Sequence, residues 1–151
     1  MRFTFDTNVL VYAVDRDAGP RHEAAIGILR RSRGRDCVLT VQALAELFRT
    51  LTGRKLGVPA ERATEMVRGF QHAFPIVAAD EAALVDAMDA VNHHGWSFWD
   101  AMMWATAKRQ GCRVLVSEDG QSGRTLGGVT IVDPFSTDGA GLLEPLFKAG
   151  P

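Results

Sequence analysis

Four acids in this 151-residue chain stand where a hydrolytic reaction would need them. Asp6 closes the short apolar run Phe3-Thr-Phe5 and is followed by Thr7, Asn8 and a second apolar stretch, Val9 to Ala13. Asp119 lies two residues past the apolar segment Arg113–Ser117, and Asp100 falls in the first turn of a helix expected from Phe98 to Gln110. Glu46 interrupts the otherwise apolar stretch Val41-Gln-Ala-Leu-Ala-Glu-Leu-Phe48. Taken singly, three of them have structural explanations. Asp100 favours a helix dipole, Asp119 before Gly120 suits a turn, and Glu46 fits a solvent stripe. Asp6 does not, because an unpaired carboxylate at the end of a buried strand is costly. Taken together, converging carboxylates raise one another's pKa, and a hard divalent cation removes that penalty. A set of oxygen ligands without His or Cys suits Mg²⁺ or Mn²⁺ better than Zn²⁺. The chemistry such a site serves is attack of metal-activated water on a phosphodiester.

The elements that would position these acids alternate along the chain. Strands are expected at Arg2–Asp6, Cys37–Thr40, Ile76–Val77, Arg113–Ser117 and Val129–Val132. Between them, helical spacing of apolar residues covers about Arg21–Arg33, Val41–Leu51, Ala60–Phe74, the segment from an Asp80 cap to His94, and Phe98–Gln110. Gly34, Gly95 and Gly111 are the expected stops, and Ser97 is the expected cap of the Asp100 helix. Glu118–Gly128 reads as a polar, Gly-rich loop. Short continuous apolar strands between helices predict an α/β fold with a parallel sheet covered on both faces. Binding sites of such sheets lie at the carboxyl ends of the strands, near a topological switch point, which is where Asp6 and Asp119 fall. The division expected is one domain, residues 1–135, and a tail, residues 136–151, with a single helical turn around Leu142 to Phe147.

Bulk properties narrow the class. The net charge is −1, so global charge does not mark a nucleic-acid binder, but its distribution is uneven. Residues 16–68 carry eleven Lys/Arg against six Asp/Glu, and residues 69–107 carry five acids and no Lys or Arg. One basic face and one acidic region are therefore expected. Cys37 and Cys112 sit beside apolar runs and read as buried free thiols. The N-terminal apolar stretch, broken by Asp6 and Asn8, does not read as a signal peptide, and no apolar run reaches a membrane span. A cytoplasmic location is expected.

Four motifs give the chain a family resemblance: Phe5-Asp-Thr-Asn-Val-Leu10, Gln42-Ala-Leu-Ala-Glu-Leu47, Ser97-Phe-Trp-Asp-Ala101 and Leu115-Val-Ser-Glu-Asp119. In this order and spacing the sequence resembles a PIN domain of the VapC-like toxin ribonucleases, from Met1 to about Pro134. The resemblance implies a three-layer α/β/α sandwich with a parallel sheet of four to five strands. It implies that Asp6, Glu46, Asp100 and Asp119 form the catalytic acidic cluster, with Asp6 and Asp100 as the Mg²⁺ or Mn²⁺ ligands and Asn8 and Ser117 in support. It further implies an RNA substrate, a cognate antitoxin and a homodimer. The loop after Asp119, Gly120-Gln-Ser-Gly-Arg124, lacks the aromatic that many relatives carry there. RNA reaching an acidic hole needs basic groups on its path, and Arg16, Arg21, Arg49, Arg54 and Lys55 are the candidates.

Other residues read structurally. Adjacent His93 and His94 chelate poorly on a helix and suit its C-terminal end. Trp96 and Trp99 read as packing anchors, and Trp104 as core or interface. Rival activities are weaker. An aspartyl phosphatase of the haloacid-dehalogenase type needs a second Asp where Asn8 stands. A phosphorelay receiver needs a Lys near Val132-Asp133-Pro134. The remaining alternative is a catalytically weak scaffold of the same fold that binds RNA or a protein partner without cleaving.

Overall fold

In a computed structural model, residues 1–120 and 122–148 are described; Gln121 of the expected loop, and Ala149, Gly150 and Pro151 of the expected tail, lie outside them. Six strands form one sheet: β1 (Phe3–Phe5), β2 (Cys37–Thr40), β3 (Ile76–Val77), β4 (Val114–Val116), β5 (Thr125–Leu126) and β6 (Val129–Val132). Their spatial order is β3-β2-β1-β4-β6-β5. All neighbours pair in parallel except β5, which runs antiparallel to β6. Every residue of β1, β2 and β4 is buried, which is why these strands are continuous apolar runs rather than alternating ones.

Seven helices flank the sheet: α1 (Thr7–Val14), α2 (Pro20–Ser32), α3 (Val41–Thr52), α4 (Ala60–Ala73), α5 (Glu81–His94), α6 (Phe98–Arg109) and α7 (Thr137–Lys148). From β1 the chain steps outward to β2 and β3, then crosses back over to β4 on the other side of β1. With right-handed crossovers, that reversal sends α5 and α6 to the face opposite α1–α4. It also makes the gap between β1 and β4 the switch point, where ligands of such sheets bind. The expected three-layer α/β/α architecture is the one found. Helix α6 lies under the sheet as a core helix, with Ala101 and Met103 to Ala107 buried.

The strand count exceeds the four to five expected. Five strands are parallel, and the sixth, β5, lies in the segment read from sequence as loop. Gly127 and Gly128 have φ of +56° and +80°, the pair of positive values a two-residue hairpin turn requires. They fold Thr125–Leu126 back onto β6, and the Trp104 indole N–H donates to the Leu126 carbonyl at 3.0 Å, fastening the hairpin to α6. The C-terminal segment also forms more than one turn. Helix α7 spans twelve residues and buries Leu143, Leu146 and Phe147. Phe147 meets Phe3 edge-on at 6.2 Å, and the Arg31 guanidinium covers its ring at 4.2 Å. Among the described residues no helix is long and apolar enough to cross a membrane.

Because Phe147 packs on the central strand, Phe147→Ala is expected to destabilise the fold by about 3 kcal/mol. Urea unfolding followed by circular dichroism measures this; a change under 1 kcal/mol would show that α7 contributes little to the core.

Candidate active site

Asp6 leaves the end of β1 and caps α1. Its backbone N–H still donates to the Val116 carbonyl of β4 at 2.9 Å, the last rung of the sheet at that point. Its side chain is held on both oxygens: Oδ1 accepts the Thr7 N–H at 2.7 Å, and Oδ2 accepts the Ser117 hydroxyl at 2.7 Å. Ser117 is buried at the end of β4. Its Oγ in turn accepts the Asp119 N–H at 3.1 Å and the Asn8 amide at 3.3 Å. One hydroxyl thus ties together both strand ends at the switch point, with the Asn8 amide bonded to it as well. The Oδ1 of Asn8 is buried with no hydrogen-bond partner among the described residues.

Asp6, Asp100 and Asp119 line one cavity of about 210 Å³, together with Ser117, Ser97 and Met103. Asp100 sits in the first turn of α6. The Ser97 hydroxyl does not cap the helix backbone, as the sequence suggested, but donates to Asp100 Oδ2 at 2.6 Å. The Asp6 carboxyl is pushed up to about 6. Burial is the largest cause, and the charges of Asp100 and Asp119 add to it, while the Ser117 and Thr7 hydrogen bonds pull the other way.

Glu46 stands one step removed. It lines a neighbouring cleft with Gln42, Arg49 and Trp99 rather than the aspartate cavity. Its Oε2 accepts the Thr7 hydroxyl at 2.8 Å, and its Oε1 accepts the Gln42 amide at 2.8 Å. Thr7 therefore bridges it to Asp6, whose carboxylate accepts the N–H of the same residue. Among the described residues no three His, Cys, Asp or Glu side chains stand close enough to hold one ion. The donor chemistry still fits a hard cation. Mg²⁺ usually takes one or two carboxylates and keeps several waters, and Asp6, a half-buried carboxylate sharing one cavity with two more, offers that. The residues that would hold it are Asp6 and Asp100.

The remaining expected residues divide. Arg16, Arg49, Arg54 and Lys55 are exposed. Arg21 is engaged: its Nε donates to Glu118 at 2.9 Å, and its guanidinium lies over the Phe135 and Tyr12 rings at 5.3 and 5.8 Å. The Tyr12 hydroxyl donates to the other oxygen of Glu118. The segment Ser117-Glu118-Asp119 thus faces two ways, Ser117 and Asp119 toward the cavity and Glu118 toward α1 and α2. On the acidic side, Asp86 is held well below the usual carboxylate range by Arg109 and Lys108, a helix-to-helix tie rather than a site. Cys37 and Cys112 are buried free thiols, and burial pushes Cys112 up to about 11.

Sequence reasoning missed part of the cavity wall. His94, Trp96 and Arg124 also line it. Both histidines do end α5, before Gly95 in the left-handed region at φ +65°, and Trp96 does pack, edge-on to Trp104 at 5.5 Å. Each was given one role where His94 and Trp96 have two. The aromatic lacking in the loop after Asp119 has a counterpart in Trp96, which reaches the same cavity from the α5–α6 connection. No local pattern announces this, because α6 and the β5–β6 hairpin must both be in place first.

Comparison with known proteins gives a consistent result. The family model described as PIN domain matches residues 3–125. Among solved structures, a DNA-bound VapBC from Salmonella typhimurium superposes with a TM-score of 0.66 at 19% identity, covering 87% of this chain and 96% of that one. A toxin–antitoxin complex from Klebsiella pneumoniae gives 0.62 at 19% identity, covering 87% and 97%. VapC20 of Mycobacterium tuberculosis, titled a sarcin-ricin loop cleaving toxin, gives 0.60 at 18% identity, covering 75% and 86%. At these identities the likeness is one of fold. No curated protein sequence matches the chain.

The Asp6 carboxyl generates a stability test. Its ordinary value, 3.8, is raised in the fold, so the fold binds this proton more tightly than the unfolded chain does. Stability from this group is full below pH 3.8 and is lost as pH rises toward 6. Asp6→Asn, which keeps an acceptor for Thr7, is expected to be more stable than wild type at pH 8 by roughly 2–3 kcal/mol. The gap should close below pH 4. Urea unfolding in EDTA at both pH values checks this, and an unchanged gap would show that Asp6 is not penalised by burial.

Proposed function

This chain belongs to the PIN domain family, and from that premise we propose that it is a Mg²⁺- or Mn²⁺-dependent endoribonuclease, the toxin of a VapBC-type toxin–antitoxin pair. The observation that carries the reading is the convergence of Asp6, Asp100 and Asp119 on one cavity at the switch point of the sheet. Carboxylates collected this way oppose one another, an arrangement with a purpose when a cation is shared and none otherwise. When bound, Mg²⁺ or Mn²⁺ supplies Lewis-acid chemistry, making water acidic enough to yield hydroxide near neutral pH and offsetting charge on the phosphodiester.

The chain's own residues do the positioning. Thr7 N–H and Ser117 Oγ fix both oxygens of Asp6, so the group has one orientation before any substrate arrives. Ser97 holds one oxygen, Oδ2, of Asp100. Asp119 N–H bonds to Ser117 Oγ, which sets the distance between the third carboxylate and the first. Glu46, held by Thr7 and Gln42, forms the outer part of the cluster in the neighbouring cleft. Arg16, Arg49, Arg54 and Lys55 are the proposed RNA contacts. Arg49 is the best placed, beside Glu46 on the same cleft. Arg21, already paired with Glu118, contributes charge to that approach.

A cognate antitoxin as partner rests on the VapBC and toxin–antitoxin complexes that share the fold. A homodimer rests on exposed apolar side chains of α5, Leu84, Val85 and Met88. A cytoplasmic setting goes with an RNA substrate. The scaffold alternative is favoured by one observation, that among the described residues no three ligating side chains already stand together. One assay separates the two readings.

Purified protein incubated with structured and single-stranded RNA is expected to cleave in Mn²⁺ or Mg²⁺, to stop in EDTA, and to resume when the ion is restored. Asp6→Asn and Asp100→Asn should each lose on the order of a thousandfold in rate while remaining folded. Wild-type activity in either variant at saturating Mn²⁺ would remove these residues from the mechanism. Metal-independent or absent cleavage would leave the scaffold reading.

A further inference from the structure

The aspartate cavity also has lining residues of opposite character. Arg124, Trp96 and His94 line it together with the carboxylates. The Arg124 guanidinium lies over the Trp96 ring at 5.4 Å. Three contacts fix this pair. Trp96 leans edge-on against Trp104, which is buried and bonded to Leu126 of β5. The Arg124 carbonyl accepts the Ile131 N–H at 2.9 Å, and Gly123 N–H donates to the Ile131 carbonyl at 2.7 Å. The backbone under Arg124 is thereby part of the β5–β6 hairpin ladder. An arginine on a fixed backbone and a fixed aromatic face loses little freedom when it engages a ligand.

We infer that Arg124, seated on Trp96, is a phosphate-binding residue of this cavity and takes a phosphodiester of the RNA strand. This rests on the nuclease reading for the identity of the strand. The chemistry is specific. Guanidinium forks match phosphate oxygens in a bidentate way, and such charge-assisted bonds are strong. A polyanion entering a cavity with three aspartates meets repulsion, and Arg124 is the only Arg or Lys in the described lining. The same geometry explains why the loop after Asp119 is short of aromatics yet rich in glycine: its contribution is the backbone that carries Arg124, and the ring comes from the α5–α6 connection.

The test measures binding, so it does not depend on turnover. A fluorescein-labelled single-stranded RNA is titrated with full-length Asp100→Asn, a non-cleaving parent, and with the same chain carrying Arg124→Gln, Arg124→Lys, Trp96→Leu or, as a control, Arg62→Gln, an exposed position of α4 away from the cavity. Near-UV circular dichroism confirms each fold. Arg124→Gln is expected to weaken binding roughly tenfold and to lower the slope of log K against log salt by about 0.7, the loss of one phosphate contact on a single strand. Arg124→Lys should keep the slope and recover part of the affinity. Trp96→Leu should weaken binding with the slope unchanged. Unaltered affinity and slope in Arg124→Gln, or a parent that binds no RNA, overturns the inference. If wild type fails to cleave in Mn²⁺ while the Arg124 effect holds, the nuclease reading falls and the phosphate site stands. If wild type cleaves and Arg124→Gln binds as its parent does, only the phosphate site falls.

Discussion

A single hydroxyl, that of Ser117, holds the ends of two neighbouring parallel strands in the relation the rest of the site requires. It donates to the Asp6 carboxylate at the end of β1 and sits itself at the end of β4. Without that bond, Asp6 would be a half-buried carboxylate with one local hydrogen bond, and its penalty from burial would grow. With it, the cost is reduced but not removed, as the raised carboxyl shows. The fold keeps one acid in an unfavourable place, and the topology dictates which place. Where the chain reverses its direction of travel across the sheet, the loops after β1 and β4 part and leave a hollow.

Helix starts do the rest of the positioning. Asp6 opens α1, Asp100 lies in the first turn of α6, and Glu46 rides on α3, where the Thr40 hydroxyl accepts the Ala43 N–H. Rigid elements set on a buried sheet hold side chains more firmly than loops do. Only Asp119 is on irregular backbone, and it is the acid whose N–H is tied directly to Ser117. The hairpin and the Trp104 indole extend this logic to Arg124 and Trp96, so that this part of the cavity lining also traces back to α6 and the sheet.

Much of this was legible in the chain. Continuous apolar strands, the Asp80 cap and the Gly95 stop gave the α/β alternation because each depends on residues within a few positions. The acids stood out because charge at the end of an apolar run has few innocent explanations. Three things were not legible. The hairpin strand β5 has two residues, too few for any period, and only its Gly-Gly turn marks it. Helix α7 contains Gly139, Gly141 and Pro145, poor helix formers, and exists because Leu143, Leu146 and Phe147 find a core to enter. The separation of Glu46 from the aspartates, with Thr7 between them, is a matter of ångströms set by how α3 packs on α1. Spacing along a sequence does not carry that information.

The two-way segment Ser117-Glu118-Asp119 has an evolutionary consequence. Successive side chains serve opposite faces, one pair at the cavity and one residue in the Tyr12 and Arg21 clasp. A backbone shift that suits one face misplaces the other, so these three positions are mutually locked and can drift only in concert. Variation is then channelled past Gly120, into the stretch that reaches Arg124.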